Sequence, residues 1–98
     1  MVSYEVTLEV EPGRLAALEA YMRKKHVPEI LATKCFRHIR LDRDSGNRLR
    51  TSYQAVSPEA LRDYLDHHAS HFRADFQAQF PTGVTVSRDT WEEREAWP

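Results

Sequence analysis

Three groups of residues in this sequence have the types and spacing to do chemistry. His26 and Glu29 flank Pro28, three residues apart. An imidazole titrates near neutral pH, and beside a carboxylate it could act as a general base at the mouth of a pocket. The same pair has a plainer use. A histidine late in a helix offsets the negative end of the helix dipole, and a glutamate just after a proline suits the start of the next turn. Capping alone accounts for both residue types and is the preferred reading.

The second group is His67, His68 and His71, spaced His-His-x-x-His, with Asp63 and Asp75 nearby. His67 and His71 are four apart and could share a helix face with either aspartate, a spacing used by metal sites. No glutamate sits between them and no motif supplies a third ligand, so a solvated face is preferred and no metal is expected. His68 falls on the aromatic side of the helical wheel and reads as a packed, hydrogen-bonded histidine. The third group is Arg37, Arg40, Arg43, Arg48 and Arg50, whose guanidinium forks match planar carboxylates and phosphates. Cys35 is the only cysteine, which excludes an intrachain disulfide and a cysteine-based zinc knuckle. With no local His-Asn/Asp signature beside it, Cys35 reads as a small buried hydrophobe rather than a nucleophile.

The elements that must position these residues follow from periodicity. Val2, Tyr4, Val6, Leu8 and Val10 alternate with Ser3, Glu5, Thr7 and Glu9, which predicts a strand over 2–10 with one buried face. Pro12-Gly13 breaks it. A helix follows with Leu15, Leu18, Tyr21, Met22 and Lys25 on one side, and Pro28 ends it or starts a short turn to Ala32. A second strand runs from about Cys35 to Arg43, with Ile39 and Leu41 alternating with His38 and Arg40. Asp44-Ser45-Gly46-Asn47 is a turn, its Gly and Asn suited to positive φ, and Arg48 to Val56 completes a hairpin. Ser57 as N-cap, Pro58 at the first helical position and Glu59 in the first turn start a long second helix. Its inner face is predicted as Leu61, Leu65, His68, Phe72, Phe76 and Gln79. Pro81-Thr82-Gly83 stops it, and a fourth strand runs from Val84 toward Trp91, leaving residues 92–98 as an acidic C-terminal tail.

The order β-α-β-β-α-β predicts a single α+β, ferredoxin-like domain over 1–98: a four-stranded antiparallel sheet with two helices on one face. Strand one assigns the faces, its apolar residues toward the helices. The open face then carries Ser3, Glu5, Thr7 and Glu9, His38 and Arg40, Arg50, Ser52 and Gln54, and Ser87, Asp89 and Trp91. The first and third strands are central in this fold, so Glu5 and Thr7 should neighbour Arg50, Ser52 and Gln54. The same element order serves RNA-recognition domains, but those need aromatic stacking residues on the open face and a basic-Gly-aromatic run in strand three. Here strand three holds no glycine, and Tyr53 should turn toward the helices with Tyr4. Nucleic acid is not an expected partner.

Composition narrows the field further. The chain has 98 residues and a formal net charge of −1, enough for one core and no second domain. That charge is unevenly spread. Residues 1–22 hold one positive group against four negative, 23–50 nine against three, and 51–98 four against eight. The basic middle is the end of helix one plus the hairpin, so the opposed patches could satisfy each other within a sheet or across a dimer. No apolar run approaches a membrane span, and the N-terminal residues lack the pattern of a secretory signal, so a reduced cytoplasmic setting is the default.

His26-Val27-Pro28-Glu29-Ile30-Leu31-Ala32-Thr33 followed by Cys35-Phe36, together with Tyr4-Glu5-Val6-Thr7-Leu8 and Tyr64-Leu65-Asp66-x-His68-Ala69, resembles a small bacterial family. That family is labelled a domain of unknown function and belongs with the dimeric α+β-barrel proteins. It often has Gly where this chain has Lys34. The resemblance covers Tyr4 to about Trp91 and implies a homodimer with two sheets facing across a barrel, without a settled activity; no cofactor is expected. The leading expectation is a small polar or anionic ligand between the sheets, held by Glu5, His38, Arg40, Arg50 and Gln54, with His26 and Glu29 at the rim. The competing expectations are a cofactor-free enzyme doing acid–base chemistry on a small carbonyl compound, with His26 or His38 as base, and a purely structural or interaction module.

Overall fold

In the computed structural model, which describes residues 1–98, nine-residue alternation at the N-terminus forms strand β1, Val2–Val10. Tyr4, Leu8 and Val10 are buried on one side of it. The other strands are β2, Phe36–Arg43; β3, Arg48–Ala55; and β4, Val84–Glu92. They form one sheet in the order β2-β3-β1-β4, with every neighbouring pair antiparallel. The expected ferredoxin-like α+β arrangement is therefore the one observed, with β1 and β3 central. The apolar side of the sheet meets the helices in two adjoining clusters. One gathers Tyr4, Phe36, Tyr53, Leu61, Tyr64 and Phe72 among others; the second is built on Leu8, Val10, Leu18, Met22, Leu49 and Phe80.

The first crossover departs from expectation at Pro28. Helix α1, Leu15–Tyr21, runs into a π-helical stretch, Met22–His26, and then into α2, Val27–Leu31, without a break in the helical path. The Val27 N–H donates to the Met22 carbonyl, five residues back. A wider π turn admits one extra residue and shifts the hydrogen-bond ladder just before Pro28, the residue that has no N–H to give. His26 is thus inside a continuous helix rather than at its C-terminus, and the capping role expected for it does not apply. Leu18, Met22 and Ile30 are buried, while Lys25, predicted on the inner side, is exposed.

The second crossover starts as predicted. Ser57 Oγ accepts from the Ala60 N–H, and Pro58 opens helix α3, Pro58–His67. One long helix was expected; instead His68, at φ −120°, separates α3 from α4, Ala69–Gln79. Leu61 and Tyr64 form one inward pair, and Ala69 and Phe72 the next. The break brings both pairs onto the sheet, and it leaves Leu65, predicted on the inner face, exposed.

Two turns place functional residues. Lys34 lies at φ 65°, a left-handed conformation that costs a non-glycine residue energy, and it swings the chain from α2 into β2. The β2–β3 turn needs no positive φ. The Asp44 carboxylate accepts from the N–H groups of Gly46 and Arg48 and closes the loop from its own side chain. No helix is long and apolar enough to cross a membrane.

Candidate functional site

The uncovered face of the sheet is ordered by register. Residues directly opposite in adjacent antiparallel strands share a face, so the pairings read as rows across four strands. One row is His38, Gln54, Ser3 and Trp91. The next is Arg40, Ser52, Glu5 and Asp89, and the third is Asp42, Arg50, Thr7 and Ser87. Glu5, His38, Arg40, Arg50 and Gln54, the residues expected to touch a ligand, accordingly lie on one surface. A bulge between Phe36 and His38 resets the register of β2, which is why Phe36 can be buried while His38, two residues on, points to the open side.

The face is electrically divided. The β2–β3 half carries Arg40, Arg48, Arg50 and His38, with Asp42 as its one acid. The β1–β4 half carries Glu5, Glu9 and Asp89 and no cation. Asp42 Oδ2 accepts from Arg40 Nε at 3.1 Å and from Arg50 Nη2 at 3.1 Å. The Arg50 hydrogen bond, followed by that from Arg40, holds the Asp42 carboxyl below the usual carboxylate range. Arg48 Nε donates to Asp44 Oδ2 at 2.7 Å. Between these pairs and β1 lies a shallow groove of about 260 Å³ lined by Glu5, Thr7, Asp42, Arg48 and Arg50, among others. At the centre of the face, Ser52 Oγ is buried without a hydrogen-bond partner. Asp42 is absent from the sequence-based site; its period-two spacing from Arg40 is the signal that places it.

His26 and Glu29, expected at the rim of this face, lie instead on the helical side. The His26 ring packs against Tyr21, Phe72 and Phe76 at centroid distances of 5.7, 6.2 and 5.7 Å. Burial is the main cause that pushes its pKa down to about 4, and its Nδ1 is buried with no partner. Glu29 reaches outward to Lys25 Nζ, at 3.0 Å from Oε2. A neutral imidazole among aromatic rings and an exposed lysine–glutamate pair do not share a pocket with Arg40 or Arg50.

The histidines of the second crossover are also sorted differently from their spacing. His67 Nδ1 pairs with Asp63 Oδ1 at 3.0 Å, and His71 Nε2 lies 3.4 Å from Asp75 Oδ2, so each takes its own aspartate. His68 stacks on Tyr64 and turns its Nε2 to within 3.7 Å of Asp63 Oδ2. Cys35 Sγ lies 3.8 Å from that same oxygen. Sequence spacing gave no sign of this cluster, because Cys35 and Asp63 are 28 residues apart and meet only through packing of α3 on the start of β2.

The geometry has counterparts among solved structures. A provisionally named antibiotic biosynthesis monooxygenase from Deinococcus radiodurans superposes with a TM-score of 0.72 at 17% identity, over 100% of this chain and 97% of that one. An EthD-family protein from Bacillus halodurans gives 0.70 at 16% identity, over 96% and 100% of the two chains. A variant of SnoaB, a cofactor-independent oxygenase from Streptomyces nogalater, gives 0.69 at 16% identity over 99% and 96%. At such identities the likeness is one of fold. No curated protein matches the sequence at a significant level. Residues 1–94 match the family described as Domain of unknown function (DUF4286), and the chain belongs to that family.

Proposed function

We propose that this DUF4286 chain works as a homodimer whose open sheet faces close on one another around a small polar or anionic molecule. The observation that carries the reading is the division of the open face into a basic β2–β3 half and an acidic β1–β4 half. A two-fold axis parallel to the strands, along the β3–β1 boundary, sets each basic half against the partner's acidic half, the self-complementarity that an isologous interface requires. Trp91, 58% exposed at the edge of the same face, is a residue type enriched in interfaces and gains from being covered. Within the closed space, Arg40 and Arg50 share the single negative charge of Asp42, so the trio keeps an excess positive charge. Their remaining N–H donors suit a carboxylate or phosphate, while His38 and Gln54, opposite each other, suit a neutral polar group.

The experiment has two parts. Sedimentation at micromolar concentration should show a dimer that loosens as salt rises, and a monomer throughout would overturn the reading. Thermal-shift screening against small carboxylates and keto acids should then find compounds that stabilise the wild type and lose their effect in Arg50→Ala.

A cofactor-free reaction on a small carbonyl compound is the second reading. It draws support from the shared fold with SnoaB and from His38 standing two residues from Arg40 on one strand face. His38 would take the proton and Arg40 or Arg50 would hold the developing oxyanion. Under that reading His38→Ala abolishes turnover of a screening hit while leaving its thermal stabilisation intact; loss of both together returns His38 to a binding role.

A further inference from the structure

We propose that Cys35, Asp63 and His68 form a zinc-binding site on the helical side of the domain, with His67 positioning the carboxylate. The three residues bring a thiol, a carboxylate and an imidazole together, and their ligand atoms all lie within 4.8 Å of one another. Zinc–ligand bonds of about 2.0–2.3 Å in a tetrahedron put neighbouring ligand atoms about 3.3–3.8 Å apart. Two of the three edges already have that length: 3.8 Å from Cys35 Sγ to Asp63 Oδ2, and 3.7 Å from His68 Nε2 to the same oxygen. The remaining edge, within 4.8 Å, closes by a swing of the His68 ring at the kink between α3 and α4, where its own N–H still donates to the Tyr64 carbonyl.

That break is what makes the cluster possible. In an unbroken helix, positions five apart point about 140° from each other, so Asp63 and His68 would diverge. With the break, one carboxylate meets two histidines: Oδ1 takes His67 Nδ1 at 3.0 Å, and Oδ2 faces His68 and Cys35. A ligating carboxylate held by a hydrogen bond on its second oxygen is the usual outer-shell arrangement around a metal. Charge also closes, since a thiolate and a carboxylate balance a divalent ion. A thiolate with an imidazole favours zinc over magnesium or calcium. Cys35 is buried, while the Asp63 and His68 side chains are 54% and 36% exposed and give the ion its entry. Three protein ligands leave a fourth position for water or another donor.

The test is metal titration of protein stripped with a chelator. Zinc, read by competition with a chromophoric chelator, should bind at one ion per chain. Cobalt in its place should give a thiolate-to-metal charge-transfer band. Cys35→Ser should remove that band and weaken zinc by about tenfold or more, and His67→Gln should weaken it by about 10–100-fold while keeping the band. Asp63→Asn, at an exposed position, and His68→Gln, at a half-buried one, report on the same site if Cys35→Ser fails to fold. His71→Gln should change nothing. A cobalt complex without the thiolate band, zinc affinity equal in the wild type and Asp63→Asn, or a loss in His71→Gln as large as in His68→Gln would each overturn the proposal.

Discussion

The His26 ring stands 5.7 Å from that of Phe76, nearly edge-on at 63°, with its Nδ1 buried and unpartnered. The contact locks the π-helical stretch of the first crossover onto α4 and explains why the imidazole is kept neutral. Burial is the main cause that takes the ring's pKa down to about 4 from the ordinary 6.5; it outweighs the nearby carboxylates of Glu29 and Asp75, and the Lys25 charge acts in the same direction as burial.

Stability should therefore depend on pH through His26. The unfolded chain takes up a proton on this ring below about 6.5, whereas the folded chain resists until about 4. The unfolded state binds more protons across that window, so the contribution of the neutral ring is intact above pH 6.5 and is lost progressively down to pH 4. The shift corresponds to roughly 3 kcal/mol at the acid end. Urea unfolding of the wild type and His26→Phe, followed from pH 7 to pH 4.5, should show the wild type losing stability that the variant retains. Parallel curves would contradict a buried neutral ring.

His26 also marks where the sequence ceased to be readable. The strand faces were legible because a period of two tolerates no drift: Glu5 opposite Ser52, Thr7 opposite Arg50 and His38 opposite Gln54 all follow from strand one's alternation and the fold's strand order. A helical wheel drifts by about 100° with each inserted residue. The π turn inserts one, so the wheel that carried Lys25 inward should have carried His26. The kink at His68 inserts no residue but turns α4 relative to α3, so one wheel drawn over both helices puts Leu65 inward where Tyr64 is buried. Pro28 marks the first irregularity, but its position does not say that the helix continues through it, and the kink at His68, on which the Cys35–Asp63–His68 cluster depends, has no local residue signature.

Lys34 pays a conformational cost that a glycine would not. Its φ of 65° sits in the left-handed region, where an L-residue with a Cβ loses about 1–2 kcal/mol. Lys34→Gly relieves that strain but gives back part of it through a freer unfolded chain. The net expectation is a gain of about 0.5–1 kcal/mol in chemical denaturation, with Lys34→Val moving the other way. Equal midpoints for all three proteins would show that the turn adapts.

The start of α3 rests on one side-chain bond, Ser57 Oγ accepting from the Ala60 N–H at 3.0 Å. Removing the oxygen leaves that N–H to water, so Ser57→Ala should cost about 1 kcal/mol and Ser57→Asp should recover most of it. Since α3 also carries Asp63, a well-folded Ser57→Ala should bind zinc as the wild type does. Cap loss that left the unfolding midpoint unmoved would place the stability of α3 in its packing through Leu61 and Tyr64 alone.

Asp42 decides how available the arginines are to a ligand. One oxygen takes hydrogen bonds from both Arg40 and Arg50, so an incoming carboxylate must compete with a resident one. Asp42→Asn keeps the size of the side chain and removes its charge, leaving two guanidinium groups without an anion between them. The pairs are exposed, and exposed ion pairs contribute little to folding, so the unfolding midpoint should move little. Affinity for a small carboxylate or phosphate should rise by about tenfold, the scale of one charge-assisted hydrogen bond gained. Arg50→Ala in the same background should cancel the gain. Calorimetric titration with a compound from the thermal-shift screen measures both changes, and an unchanged affinity in Asp42→Asn would move the anion site off the Arg40–Asp42–Arg50 trio.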